Sequence, residues 1–333
     1  MYLYSPPYVT RGNRMKKHEI TDISIIGAGT MGYSIALDFA IGGQRVRLFD
    51  IDDQVLQAAE DQIQVGLDGL IETDHVSPTQ RESILERIRF EDEFKTAVND
   101  ADLVTEAVPE DIEVKYEVFE ELDKYAPATA IIASNTSGLS ITDIASTIED
   151  PSRVLGTHYF NPAYIIPVVE VVAGAETSDE IMQRTTSLLE SVGKTPVTVN
   201  KDIPGFIVNR IQTAMVYEAE SLVERGIASP QDIDRAVRGS FGLRMPVMGL
   251  FEIADVEGLD VHVEVLSYLM KELDRGSEPA EFLQELVDNG KLGLKTGEGI
   301  YDWPADQTAV LEKRDKALLK QQSVYNQCDH LKE

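Results

Sequence analysis

His158 and Glu170 stand twelve residues apart in a stretch that is otherwise largely apolar, THYFNPAYIIPVVEVV (157–172). A buried charge without a partner is costly, so two ionisable groups in such surroundings are candidates to partner each other. An imidazole whose far nitrogen is held by a carboxylate has a fixed tautomer and a supported positive charge. That arrangement suits a general base that takes the proton of an alcohol. A histidine on an apolar strand also serves as a satisfied core residue, and on these residues alone both readings stand.

A second constellation lies upstream. GAGTMG (27–32) is a G-x-G-x-x-G run with Gly27, Gly29 and Gly32, and Asp50 closes the next β-like segment. Gly27 permits a tight turn, Gly29 lets the backbone approach a pyrophosphate, and Gly32 lets helix and strand pack closely. A helix opening at this turn offers free N–H groups and a partial positive charge to phosphates. The reading assigns Gly27, Gly29, Thr30, Met31, Gly32 and Asp50 to a dinucleotide. Asp50 accepts from the adenine ribose hydroxyls and repels a 2′-phosphate, which predicts NAD over NADP. A glycine-rich turn without a ligand is the alternative. With a nicotinamide present, the His158 proton transfer acquires its hydride partner.

The elements that must position these residues follow from hydrophobic period. ITDISIIGAG (20–29) is a β-branched run, TMGYSIALDFAIGG (30–43) has helical spacing, and QRVRLFD (44–50) reads as a second strand. That is a βαβ unit. Residues 52–90 read as polar, amphipathic helix with a turn near SPTQ. Further strands are predicted at 101–108, 129–135, 152–159, 167–174 and 195–199, with helices between, which predicts a doubly wound, mostly parallel sheet. His158 ends one strand and Glu170 lies on the next, and strand ends line the crevice of such sheets. After NKDIPGF the β-branched runs fade. FIVNRIQTAMVYEAESLVERG reads as one helix closed by Gly226, and ASPQDIDRAVRG as another with a cap and a proline start. The reading is a poorly ordered lead-in at 1–17, a Rossmann-type doubly wound domain at 18–201 and an all-helical domain at 202–333. Residues 206–225 and the helices after 230 carry more apolar faces than one small helical unit can bury, which predicts a homodimer through that domain.

The chain has 333 residues, 30 basic against 58 acidic, a formal charge of −28. Such a surface repels nucleic acid and anionic headgroups, so neither nucleic acid nor a membrane is an expected partner. No apolar run approaches the length of a membrane span. The one cysteine, Cys328, forms no intrachain disulfide and no cysteine-based metal site, and no metal is expected. A cytoplasmic location is the expectation.

GAGTMG, EAVPEDIEVKYEVFEEL, SNTSGLSI, THYFNPAYIIPVVEVV, DIPGFIVNR and KLGLKTGEGIYDW occur in this order. With them the chain resembles the L-3-hydroxyacyl-CoA dehydrogenase family over about residues 20–303. The resemblance implies NAD-dependent oxidation of the 3-hydroxyl of a short 3-hydroxyacyl-CoA to the 3-ketoacyl-CoA. It implies His158 as general base oriented by Glu170. It places Ser137 and Asn209 at the substrate's hydroxyl and carbonyl, supported by Asn161, and Glu110 and Lys115 at the nicotinamide-ribose end of the cofactor. Ser137 as a turn residue, Asn209 as a helix-start hydrogen bonder and Glu110–Lys115 as a solvated pair are the alternatives on the residues alone.

One departure bears on the substrate. Members that bind coenzyme A often carry lysines on the helix after the second strand. Residues 51–80 here hold no Lys or Arg and seven acidic residues. NPAYIIPVVEV also resembles relatives acting on free hydroxy acids, such as carnitine, gulonate and pyridine-carboxylate dehydrogenases, so a free hydroxy acid is the alternative substrate. A non-enzymatic NAD-binding protein is the alternative of a different class. His158, Glu170 and the glycine turn weigh against it.

Overall fold

A computed structural model describes residues 20–273, 276 and 278–326; the expected lead-in at 1–17, Cys328 and the end of the expected helical domain, 327–333, lie outside the described residues. The chain divides between Asn209 and Arg210 into two compact units. The division falls beyond the expected residue 201. The backbone N–H groups of Ile207 and Val208 bind Glu170, and the Asn209 side chain binds the Ser137 carbonyl, which ties 202–209 to the first unit.

The first unit opens with strand β1 (Asp22–Ile26), helix α1 (Thr30–Ile41) and strand β2 (Arg45–Phe49). Helices α2 (Asp53–Glu72) and α3 (Arg81–Leu85) lead to β3 (Ile88–Glu91), and α4 (Phe94–Val98) to β4 (Leu103–Glu106). Then come α5 (Ile112–Tyr125), β5 (Ile131–Ser134), α6 (Ile141–Ala145), β6 (Val154–Tyr159), β7 (Val168–Ala173), α7 (Asp179–Ser191) and β8 (Thr195–Val199). The strands form one sheet in the order β3-β2-β1-β4-β5-β6-β7-β8. Every pair is parallel except β6 with β7. Residues 23–26, 103–106, 131–134 and 154–159 are buried throughout, because helices cover both faces of a parallel sheet. The chain order reverses between β1 and β4, the point where such sheets bind ligands.

Two sequence expectations change. Helix does not continue to residue 90: Ile88–Glu91 form edge strand β3, paired with β2. Four residues are too few for a period of two to stand out against the preceding short helix. The Asp52 side chain, accepting from the Gln54 N–H at 2.8 Å, starts the helix that was expected there. The long helix expected from Phe206 starts two residues later, as α8 (Val208–Glu224). Phe206 itself has φ +44°, a left-handed conformation that interrupts helical backbone.

The second unit is helical, with α9 (Pro230–Gly239), α10 (Phe241–Arg244), α11 (Leu250–Glu257), α12 (Leu259–Leu269), α13 (Glu281–Asp288) and α14 (Gln307–Tyr325). Isolated bridges Gly293–Glu298 and Glu298–Asp302 staple the KLGLKTGEGIYD turn. Ser229 caps α9 by accepting from the Asp232 N–H, with Pro230 in the first turn. Large apolar side chains stand in solvent here: Phe251 is 89% exposed, Val256 72% and Val263 64%. Among the described residues, no helix is long and apolar enough to cross a membrane.

Candidate active site

His158 on β6 and Glu170 on β7 are directly paired residues of the antiparallel ladder, so their side chains leave the sheet on one face. His158 Nδ1 lies 2.6 Å from Glu170 Oε2. A carboxylate only accepts, so Nδ1 carries the proton of the neutral ring and Nε2 keeps its lone pair. The other oxygen of Glu170 accepts from the N–H groups of Ile207 at 2.8 Å and Val208 at 3.0 Å. Burial pushes the Glu170 carboxyl up, but the bonds from His158, Val208 and Ile207 outweigh it and hold the group below its ordinary value. Glu170 is therefore a fixed anion behind the imidazole. The rings of Phe160 and Phe206, centred 4.5 Å and 5.8 Å from the imidazole, flank it.

His158 opens onto a cleft of about 1100 Å³ that runs from the glycine turn past the ends of β1 and β4. Gly27, Gly29, Thr30, Met31, Asp50, Glu110 and Ser137 line it. The three glycines differ in what surrounds them. A Cβ on Gly32 falls 1.7 Å from the Gly27 carbonyl oxygen, and one on Gly27, at φ +97°, falls 2.7 Å from the Ala107 oxygen. A Cβ on Gly29 meets nothing within 4 Å, so its bare backbone faces open space at the helix start. No side chain caps α1 at Gly29. This cradle fits a dinucleotide pyrophosphate: free N–H groups, the positive end of α1 and room for close approach. Asp50 is fixed by the N–H of Ala28 at 2.8 Å on one oxygen and of Asp52 at 3.1 Å on the other. Each oxygen retains accepting capacity for a ribose hydroxyl.

A second charged group lies under the cleft wall. Glu106 at the end of β4 accepts from Lys115 Nζ at 2.7 Å, the Val108 N–H at 2.8 Å and Ser134 Oγ at 2.6 Å. Burial raises its carboxyl above the ordinary value, and those three donors oppose the rise. Lys115 Nζ also lies 3.4 Å from Glu110 Oε2. Glu110 Oε1 accepts from Thr136 Oγ1 at 2.6 Å and from the N–H groups of Ser137 at 2.9 Å and Gly138 at 3.2 Å. Burial works to raise the Glu110 carboxyl, and these donors with Lys115 bring it below its ordinary value.

The structure thus brings His158, Glu110, Ser137, Asp50 and the glycine turn to one cleft. Gly32 and Glu170 stand behind its surface. Lys115 does not reach the cleft: at 1% exposure it is sealed against Glu106, so neither the cofactor-contact nor the solvated-pair reading describes it. Asn161 is exposed on the turn after β6 and is not among the lining residues. Asn209 holds the Ser137 carbonyl at 3.2 Å. Sequence reasoning passed over Asn135, whose Oδ1 accepts from the Tyr159 N–H at 2.9 Å beside His158, and Glu106. Glu106 carried the same signal as Glu170, an acid in a run of strand residues.

The family profile described as 3-hydroxyacyl-CoA dehydrogenase, NAD binding domain, matches residues 22–203, and its C-terminal domain profile matches 205–303. The 5-formyl-3-hydroxy-2-methylpyridine 4-carboxylate 5-dehydrogenase of Mesorhizobium japonicum is 36% identical over 293 residues, 88% of this chain and 94% of that protein. A solved structure of such a 5-dehydrogenase, an NAD+-dependent dismutase, superposes with TM-score 0.87 at 35% identity, covering 92% of this chain and 99% of that one. The (S)-3-hydroxybutyryl-CoA dehydrogenase of Ralstonia eutropha superposes with TM-score 0.71 at 36% identity, covering 86% and 100%.

Proposed function

The chain belongs to the 3-hydroxyacyl-CoA dehydrogenase family and is an NAD-dependent oxidoreductase acting on CH–OH, and from that premise we propose that His158 is its general base. The observation that carries this reading is the 2.6 Å contact between His158 Nδ1 and Glu170 Oε2, which leaves Nε2 free to take a hydroxyl proton. Bound NAD supplies the acceptor for the hydride that leaves the same carbon. Glu170 orients the ring and offsets the positive charge it acquires. Gly27, Gly29, Thr30, Met31 and Gly32 form the pyrophosphate cradle, and Asp50 takes the adenine ribose. Ser137 holds the substrate hydroxyl, Asn209 fixes the Ser137 segment, and Asn161 supports the turn that follows His158. Glu110 faces the nicotinamide ribose, with Lys115 acting through it.

The substrate in this reading is a short 3-hydroxyacyl-CoA, 3-hydroxybutyryl-CoA in kind; the match to both 3-hydroxyacyl-CoA dehydrogenase profiles supports the acyl-CoA class without specifying its length. A second reading, a free hydroxy acid of the pyridine-carboxylate kind, is favoured by a specific observation. Helix α2 presents acidic residues and no Lys or Arg, a poor neighbour for a polyanion, and the 0.87 superposition is with a pyridine-carboxylate dehydrogenase. NADH formation across 3-hydroxyacyl-CoAs and free hydroxy acids, repeated from low to high salt, tests the choice. The Debye length shrinks from about 10 Å at 0.1 M to about 3 Å at 1 M, so salt screens the acidic face and the acyl-CoA KM falls. An acyl-CoA KM that climbs steeply with salt contradicts the weight placed on α2. Absence of acyl-CoA turnover at every salt concentration hands the assignment to the free acid. We place the enzyme in the cytoplasm, and its second unit in a homodimer that covers Phe251, Val256 and Val263.

A further inference from the structure

Glu106, Lys115 and Glu110 run as a chain of charges from inside the sheet to the cleft wall. Glu106 is fully buried and Lys115 is 1% exposed, while the Glu110 side chain is 41% exposed. All three groups bonded to Glu106 are donors, the arrangement of an ionised carboxylate. Glu110 likewise gathers only donors on Oε1. One carboxylate is enough to neutralise the Lys115 ammonium. Two leave the cluster with one surplus negative charge. That charge is held in place by backbone N–H groups of 137 and 138, and it sits beside a partly desolvated cleft where fields act at low effective dielectric.

We infer that this cluster sets the relative affinity of the enzyme for NAD+ and NADH, its surplus negative charge favouring the positively charged nicotinamide of NAD+, and that Glu106 is the positioning residue that fixes that charge. The inference rests on the reading above, which puts the nicotinamide at the His158 and Ser137 end of the cleft. It explains why a sheet would hold a buried acid that touches neither cofactor nor substrate. Without Glu106, the Lys115 ammonium has Glu110 as its sole carboxylate partner, and the cluster falls to neutrality.

Charge bookkeeping gives the test. Glu106→Gln leaves the cluster neutral. Glu106→Gln with Lys115→Met removes the buried pair together, a change that cores generally tolerate better than breaking one half, and returns the cluster to one negative charge. Dissociation constants of NAD+ and NADH are measured without substrate, NADH by its fluorescence and NAD+ by competition. In Glu106→Gln the ratio of the NAD+ constant to the NADH constant rises roughly tenfold, the effect of a unit charge across about 9 Å at an effective dielectric of about 25. In the double variant the ratio returns to within about threefold of wild type. An unchanged ratio in Glu106→Gln overturns the inference, and so does a double variant as far displaced as the single one. If Glu106→Gln does not fold, the triple variant adding Glu110→Gln carries the same neutral charge and must show the same rise over the double. Failure of the His158 reading shows in turnover alone, and failure here shows in this ratio alone.

Discussion

The imidazole of His158 is held at 2.6 Å by a carboxylate, Glu170, that is itself held by two backbone N–H groups from the segment leading into α8. Strand register places the two side chains opposite each other, and the Gly205–Phe206 turn, with both residues at positive φ, delivers the N–H groups of 207 and 208. The base is therefore oriented from two parts of the chain that are distant in sequence.

Glu170→Gln keeps the size of the side chain but turns a donor toward the N–H groups of Ile207 or Val208, or toward His158. The expected cost is about 1–3 kcal/mol of stability, together with reduced turnover. Its pH dependence has a definite sign. The Glu170 carboxyl titrates below its ordinary value in the folded protein, so its contribution is complete above the unfolded value of about 4.3 and is lost as pH falls through the lower folded value. The difference in Tm between wild type and variant should hold constant from neutral pH to the carboxylate range and shrink only below it. A gap that closes between pH 7 and 6 would argue against a fixed anion.

Gly29 and Gly32 should respond oppositely to alanine. Gly32→Ala drives a methyl into the Gly27 carbonyl and should cost several °C of Tm. Gly29→Ala meets open space, so the protein should fold with nearly unchanged Tm while its NAD dissociation constant rises tenfold or more, roughly the loss of close pyrophosphate approach. Thermal melts and NAD titration read the two effects separately. Equal loss of stability in both variants contradicts the cradle.

Asp50→Ser removes the carboxylate that both accepts from ribose and repels a 2′-phosphate. Titration with NAD and NADP should show NAD binding weakened by about tenfold and the gap to NADP narrowed. A wild-type preference for NADP contradicts the role given to Asp50.

Light scattering should return twice the monomer mass at micromolar concentration, and Phe251→Glu or Val263→Glu should shift the protein toward monomer. Both side chains are more than half exposed in the isolated chain, at 89% and 64%. A monomeric wild-type protein contradicts the proposed interface.

The α/β alternation and the glycine turn were legible because each strand is an apolar run and the glycines have steric jobs that no other residue does. The pairing of His158 with Glu170 was legible as an anomaly, two ionisable groups where none is cheap. Burial decided the rest. Lys115 follows Glu110 by five residues and reads as a surface or cofactor-facing cation; nothing local reveals that Glu106 draws it inward. Asp38 and Lys194, 2% and 7% exposed and 2.7 Å apart, are likewise distant in sequence and joined only by packing. Strand β3 was missed because four edge residues carry too little pattern.

The most direct test of the account is steady-state and binding analysis of His158→Gln. The side chain keeps a polar group in place but cannot take the hydroxyl proton. The account predicts that kcat for oxidation falls by about 10²–10⁴-fold while the NAD dissociation constant stays within about twofold of wild type. A variant with turnover near wild type, or one whose loss of rate is matched by an equal loss of NAD affinity, contradicts His158 as the base.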